Sequence, residues 1–94
     1  MPKFEPKGAE LYVDGQRVKR AWESDNGFYW FAVKKTSLEN IVYDGKSLRR
    51  DTIWYGLVQG FLDEWTYFSE AELDGLKLVR RIKRKDLPNA GRRN

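Results

Sequence analysis

Three dipeptides, Asp14-Gly15, Asn26-Gly27 and Asp44-Gly45, constrain this chain more than anything else in it, because each lies between apolar runs of strand length. An Asx-Gly pair readily takes positive φ at both central positions of a two-residue turn, the conformation whose twist matches the strands it joins. Three such turns predict antiparallel hairpins. The first joins ELYV to QRVKRAW, setting Val13 opposite Gln16, Leu11 opposite Val18 and Glu10 opposite Lys19, so that apolar meets apolar and opposite charges pair. The second sets Trp22 opposite Phe31 in strands that end around Lys34, and the third sets Ile41 opposite Leu48 and Glu39 opposite Arg50. Between them KKTSLEN is polar and aperiodic and reads as a loop. A further strand runs from Thr52 to Val58, and EWTYF returns after the longer loop QGFLD.

The period changes at Ser69. Ser69 and Glu72 have the spacing of a capping box, in which each side chain bonds a backbone N–H at the other end of the first helical turn. Phe68 and Leu73 flank it as a hydrophobic staple. Gly75 weakens the helix by about 1 kcal/mol relative to Ala, so it is expected to last roughly two turns and end near Lys77. Leu78 to Lys85 then forms a last strand. Residues 1–8, with Pro2, Pro6 and Gly8, read as a flexible arm, residues 9–87 as a single domain, and residues 88–94 as a flexible basic tail.

Strand alternation exposes a shortage of cover. FYWFAV sends Phe28, Trp30 and Ala32 to one face and Tyr29, Phe31 and Val33 to the other, TIWYGLV is apolar on both faces too, and WTYF divides Trp65 and Tyr67 from Phe68. One short helix covers part of one face. The other must be hidden by curling of the sheet, by a stacked second copy in a homodimer, or by a partner docked on Tyr29, Trp54 or Trp65.

The chain contains no Cys and no His, so thiolate chemistry, Cys-based zinc sites and imidazole acid–base chemistry are all ruled out. Carboxylates remain. Asp63-Glu64 and Glu70 with Glu72 could in principle serve a carboxylate-dependent enzyme, but they read as a loop and a helix start, where acids favour the helix dipole. Gly56 and Gly60 make no phosphate loop, because no Gly-Lys-Ser/Thr follows, and Ser47 and Ser69 have no base beside them. The chain is therefore expected to be no enzyme and to need no cofactor or metal.

The net charge of +4 is unevenly spread: Leu76 to Asn94 carries eight Lys and Arg against one acid, a net +7, and the remainder is −3. LVRRIKRKDL holds five of these cations. On an edge strand they would deter pairing with another molecule. The sharper reading is that Arg80, Arg81, Lys83, Arg84 and Lys85, followed by Arg92 and Arg93 in the tail, contact nucleic-acid phosphates. An acidic protein surface is the other partner such a field would attract.

The run YGLVQGFLDEWTYFSEAELDGL, followed by IKRKDL, resembles an uncharacterised family of small proteins carried on bacterial plasmids and other mobile elements. The likeness spans Tyr55 to Leu87 and rests on Gly56, Leu57, Gly60, Tyr67, Phe68, Ser69, Glu72 and Leu73; Thr66 stands where that family usually has Gly, and Lys85 looks like an insertion before Asp86-Leu87. The resemblance implies a shared fold and a mobile-element origin, and no catalytic residues.

These readings converge on an α+β domain, a curved antiparallel sheet of about five or six strands with one short helix near 69–77 before the last strand. Its expected function is a non-enzymatic binding module, a plasmid- or virus-encoded accessory factor contacting nucleic acid, or alternatively a protein-interaction factor such as an antagonist of a host system. No apolar run approaches the ~20 residues of a membrane span, and MPKFEPKGAE lacks the apolar middle of a secretion signal. A cytoplasmic, soluble chain with no membrane partner is expected.

Overall fold

The computed structural model describes the backbone of residues 2–43 and 48–90 and the side chains of residues 2–36 and 50–90. Among the described residues, eight strands, one α-helix and a 3₁₀ helix near the C-terminus form an α+β unit. A three-stranded antiparallel sheet holds β1 (Phe4–Lys7), β2 (Glu10–Val13) and β3 (Gln16–Arg17), in that order. A five-stranded antiparallel sheet follows the spatial order β7-β6-β5-β4-β8, with β4 spanning Arg20–Ser24, β5 Tyr29–Tyr43, β6 Leu48–Gln59, β7 Asp63–Ser69 and β8 Val79–Arg81. The helix α1 covers Glu70–Gly75 and the 3₁₀ helix Arg84–Asn89.

The first turn forms as its dipeptide dictates. Asp14 and Gly15 take φ of 49° and 81°, Val13 faces Gln16, and the Val18 N–H donates to the Leu11 carbonyl at 2.8 Å. The strand after the turn is shorter than expected: it ends at Arg17, and the chain crosses to the other sheet as β4. Glu10 meets Arg17 and Arg84 rather than Lys19.

The second turn shifts by one residue from expectation. Trp22 pairs with Trp30, and Phe31 with Ala21. The cause is a three-residue loop: Gly27 alone of the pair takes positive φ, its N–H donates to the Ser24 carbonyl at 3.0 Å, and the Ser24 N–H donates to the Phe28 carbonyl at 2.9 Å. Ser24 Oγ also accepts from the Phe28 N–H at 3.0 Å. The third turn, Asp44-Gly45, lies outside the described residues, but its flanks pair Tyr43 with Leu48 and Ile41 with Arg50, so Ile41 does not face Leu48 and Glu39 faces Thr52 instead of Arg50.

Residues 34–40, expected as a loop, belong to β5. The long β6 offers them a ladder, and the irregular polar sequence is absorbed by register shifts between Ala32 and Lys34 and between Lys35 and Glu39. Inside the second shift Thr36 Oγ1 donates to the Ile53 carbonyl at 2.9 Å, replacing a backbone rung with a side chain.

The second apolar face is covered by both ends of the chain. Leu11, Val13 and Val18 from the small sheet and Leu87 and Ala90 from the C-terminus pack on Ala21, Phe31, Val33 and Leu57 of the large sheet. Phe4 lies edge-on to Phe31 at 5.2 Å. Residues 4–7 are thus an edge strand rather than a loose arm, and residues 88–90 are packed chain rather than tail. The opposite face carries a separate core of Trp22, Ala32, Trp54 and Leu73, with Trp30, Phe68 and Val79 against it, roofed by α1.

Candidate functional site

The basic segment divides between three elements. Only Val79–Arg81 is strand, pairing at the sheet edge with β4; the expected strand as far as Lys85 breaks at Ile82, and Arg84 and Lys85 begin the 3₁₀ helix instead. Alternation turns Arg80 and Arg81 to opposite faces, and both find acids. Arg80 binds Glu23 at 3.1 Å and also Asp25. Arg81 grips Asp74 through two bonds of 3.0 and 2.7 Å and reaches Glu70 at 3.4 Å. The hydrogen bonds that Arg80 donates to Asp25 and Arg81 donates to Asp74 raise the pKa of each arginine above the ordinary guanidinium value. Arg84 bonds Glu10 at 3.0 Å.

Of the residues expected to hold phosphate, three arginines are therefore already occupied by carboxylates. Lys83 and Lys85 are exposed and pair with no described acid. They line a groove of about 450 Å³ with Glu23, Tyr29, Arg80 and Ile82, in which both signs of charge are present. Arg92 and Arg93 lie outside the described residues.

The acids named as catalytic candidates have other work. Glu70 accepts from the Trp54 indole at 3.0 Å and pairs with Arg20 at 3.5 Å. Asp63 and Glu64 are exposed at the start of β7, in strand where a loop was expected. Among the described residues no group of three or more metal-ligating side chains forms, and no helix is long and apolar enough to cross a membrane.

The aromatics proposed for partner binding are not the exposed ones. Trp54 is buried, which follows from its place under α1. Tyr29 is half-buried and stacks on Phe31 at 5.7 Å, and Trp65 is half-buried and stacks on Tyr55 at 6.0 Å.

The exposed apolar surface is elsewhere. A six-residue helix is only about 9 Å long; α1 covers Trp22 and Trp54 and ends at Gly75, leaving the hairpin end of the same face open. There Phe28, Trp30, Leu76, Leu78 and Val79 line a largely apolar groove of about 480 Å³, with Asp25 and Lys77 on its rim. Phe61 stands beside it, edge-on to Phe28 at 5.3 Å and 94% exposed. Leu62 is 80% and Leu78 65% exposed. Gly60 permits this arrangement, because a Cβ there would come within 2.7 Å of the Phe28 ring. Sequence reasoning passed over Phe61, Leu62, Leu76 and Leu78. The available signal was large apolar residues in segments with neither strand nor helix periodicity.

Several residues of the segment from Tyr55 to Leu87 have architectural roles: Gly56 admits the Phe31 carbonyl, Ser69 caps α1, and Leu73 on α1 packs into the core that Phe68 also lines. No family model, no curated protein and no solved structure matches the chain.

Proposed function

We propose that the protein is a binding module that docks a partner protein through the groove between the β4–β5 hairpin and residues 76–79. The observation that carries this reading is Phe61, nearly fully exposed beside a groove already lined by Phe28, Trp30, Leu76 and Leu78. Large apolar side chains gathered on one rim are costly to leave in water, and such clusters mark interaction sites. Lys77 on the rim is unpaired among the described residues, whereas Asp25 is held by Arg80. The fitting ligand is a peptide segment with one or two large apolar anchors and a carboxylate to meet Lys77.

Random-peptide display tests this directly. Selection on the wild-type protein should enrich apolar anchors flanked by Asp or Glu, and Phe61→Ser with Leu78→Asp should abolish binding of the selected peptides while leaving the fold intact. Peptides that bind both proteins equally would refute the groove as the site.

Nucleic-acid binding is supported by a separate observation, Lys83 and Lys85, unpaired among the described residues and lining the other groove. Labelled single-stranded and duplex DNA and RNA at low salt are the probes. Two phosphate-contacting lysines would give a log–log salt slope that flattens by about two units when both are replaced. Binding that Lys83→Ala with Lys85→Ala does not alter would overturn this second reading.

A further inference from the structure

Among the described residues the two sheets end in four strands, and three of these are guarded; the stretches of β5 and β6 that run on beyond β4 and β7 carry Lys34, Lys35, Arg49 and Arg50. β1 carries Pro6 and Lys7, β3 is two residues long, and β8 is three residues long and carries Arg80 and Arg81. Short length, proline and charged side chains are the devices by which strands resist pairing with another molecule. β7 is the least protected, its charges, Asp63 and Glu64, being confined to its first two residues. It is seven residues long, contains no Lys, Arg or Pro, and pairs with β6 in unbroken register from Asp63 to Ser69, so its outer side offers a straight row of backbone donors and acceptors.

We infer that β7 is a homodimer interface, joining two copies antiparallel into one continuous ten-stranded sheet about a two-fold axis through Thr66. The occupant is read from the strand's own sequence. A two-fold axis perpendicular to the sheet keeps each face continuous only when residues of the same parity meet, which requires the axis to pass through a residue. Centring on Thr66 alone uses all seven residues. It sets Thr66 against the partner's Thr66, Trp65 against the partner's Tyr67, Glu64 against the partner's Phe68 and Asp63 against the partner's Ser69. No like charges face each other, a β-branched pair sits on the axis, and an aromatic pair lies on either side of it.

The aromatic pairs extend a ladder that already exists within each copy. Tyr55 stacks on Trp65 at 6.0 Å and meets Tyr67 edge-on at 5.1 Å. Tyr67 is 57% exposed on the isolated chain, at the position where a second copy's Trp65 would cover it. The interface is separate from the groove of the proposed function, whose lining contains no β7 residue.

Sedimentation equilibrium of the full chain over micromolar to millimolar concentrations, with thermal melts to confirm folding, is the test. Wild type should approach twice 11.1 kDa. Thr66→Lys should be folded and monomeric because it sets like charges face to face, and Thr66→Glu should behave the same way. An equimolar mixture of the two should recover a heterodimer, since only a Thr66-centred register opposes these positions. Leu78→Asp, in the groove, should dimerise as wild type does, so loss of peptide binding and loss of dimerisation are told apart. A wild-type chain that stays at 11.1 kDa throughout, or charge variants that do not rescue each other, would overturn the inference.

Discussion

The Trp22 indole donates to Asp74 Oδ1 at 2.9 Å, joining residues 52 positions apart and fastening the helix to the sheet. The arrangement is doubled one turn earlier, where Trp54 donates to Glu70 at 3.0 Å. Each indole also carries a guanidinium over its ring, Arg81 over Trp22 at 5.6 Å and Arg20 over Trp54 at 6.0 Å. Glu70 and Asp74 are four residues apart, hence on one side of α1. A helix too short to be stable alone is thus held by two buried indoles whose N–H groups would otherwise lack partners.

Hydrogen bonds from Arg81 hold the Asp74 carboxyl below its ordinary pKa, aided by the Trp22 indole and the Arg20 charge against the upward pull of burial. With the folded-state pKa depressed, the stabilisation is complete above the unfolded value of about 3.9 and is lost as pH falls through the folded value. Asp74→Asn should cost about 1 kcal/mol at neutral pH, at the weak end for charge-assisted bonds, because the side chain is 38% exposed. It should also make the acid limb of stability shallower. Urea unfolding midpoints followed from about pH 7 to about pH 2 measure both effects, and an unchanged acid limb would contradict the assignment.

Two glycine-to-alanine substitutions should act in opposite directions. A Cβ at Gly56 would collide with the Phe31 carbonyl oxygen of the neighbouring β5 and lie 2.8 Å from its carbon. Gly56→Ala should cost at least the roughly 1–3 kcal/mol of an overpacked site. At Gly75 a Cβ meets nothing within 4 Å and φ is not positive. Gly75→Ala should therefore stabilise α1, by up to about 1 kcal/mol. Thermal melts of both variants decide the matter.

The N-terminus of α1 has two caps. Ser69 Oγ accepts from the Glu72 N–H at 3.0 Å and donates to Asp51, while Asp51 Oδ1 accepts from the Ala71 N–H at 2.8 Å. Ser69→Ala should cost about 1 kcal/mol. Asp51→Ala should cost more, toward about 3 kcal/mol, because Asp51 is buried on β6 and its loss orphans two donors. The double variant should cost less than the sum, since both caps act on one helical turn.

The C-terminal 3₁₀ helix anchors in the core through Leu87, which is 3% exposed. Leu87→Ala should lose about 2–5 kcal/mol, the range for a buried leucine. Lys85→Ala, two residues earlier and exposed, should stay within about 0.5 kcal/mol of wild type. Equal effects in denaturant titrations would mean that residues 84–90 are dispensable chain.

Much of the local structure is legible along the chain. Asp14-Gly15 encodes its own turn through positive φ, Ser69 encodes the helix start through its spacing from Glu72, and the parity of Phe28 to Val33 separates the two cores without reference to any other segment. Asn26-Gly27 was legible as a turn and misleading as a register, because loop length depends on whether Asn26 or only Gly27 adopts positive φ.

Periodicity and backbone preference act within a few residues, so the chain alone determined the antiparallel hairpins, the short helix, and the need for a second roof over a sheet apolar on both sides. What supplies that roof was decided in three dimensions, by Phe4, Leu11 and Val13 from one end meeting Leu87 and Ala90 from the other. The fate of the arginines was decided there too. Whether Arg80, Arg81 and Arg84 face solvent or carboxylates depends on Glu23, Asp25, Asp74 and Glu10, up to 74 positions away, and charge counted along a sequence does not record which opposite charge the fold brings beside it.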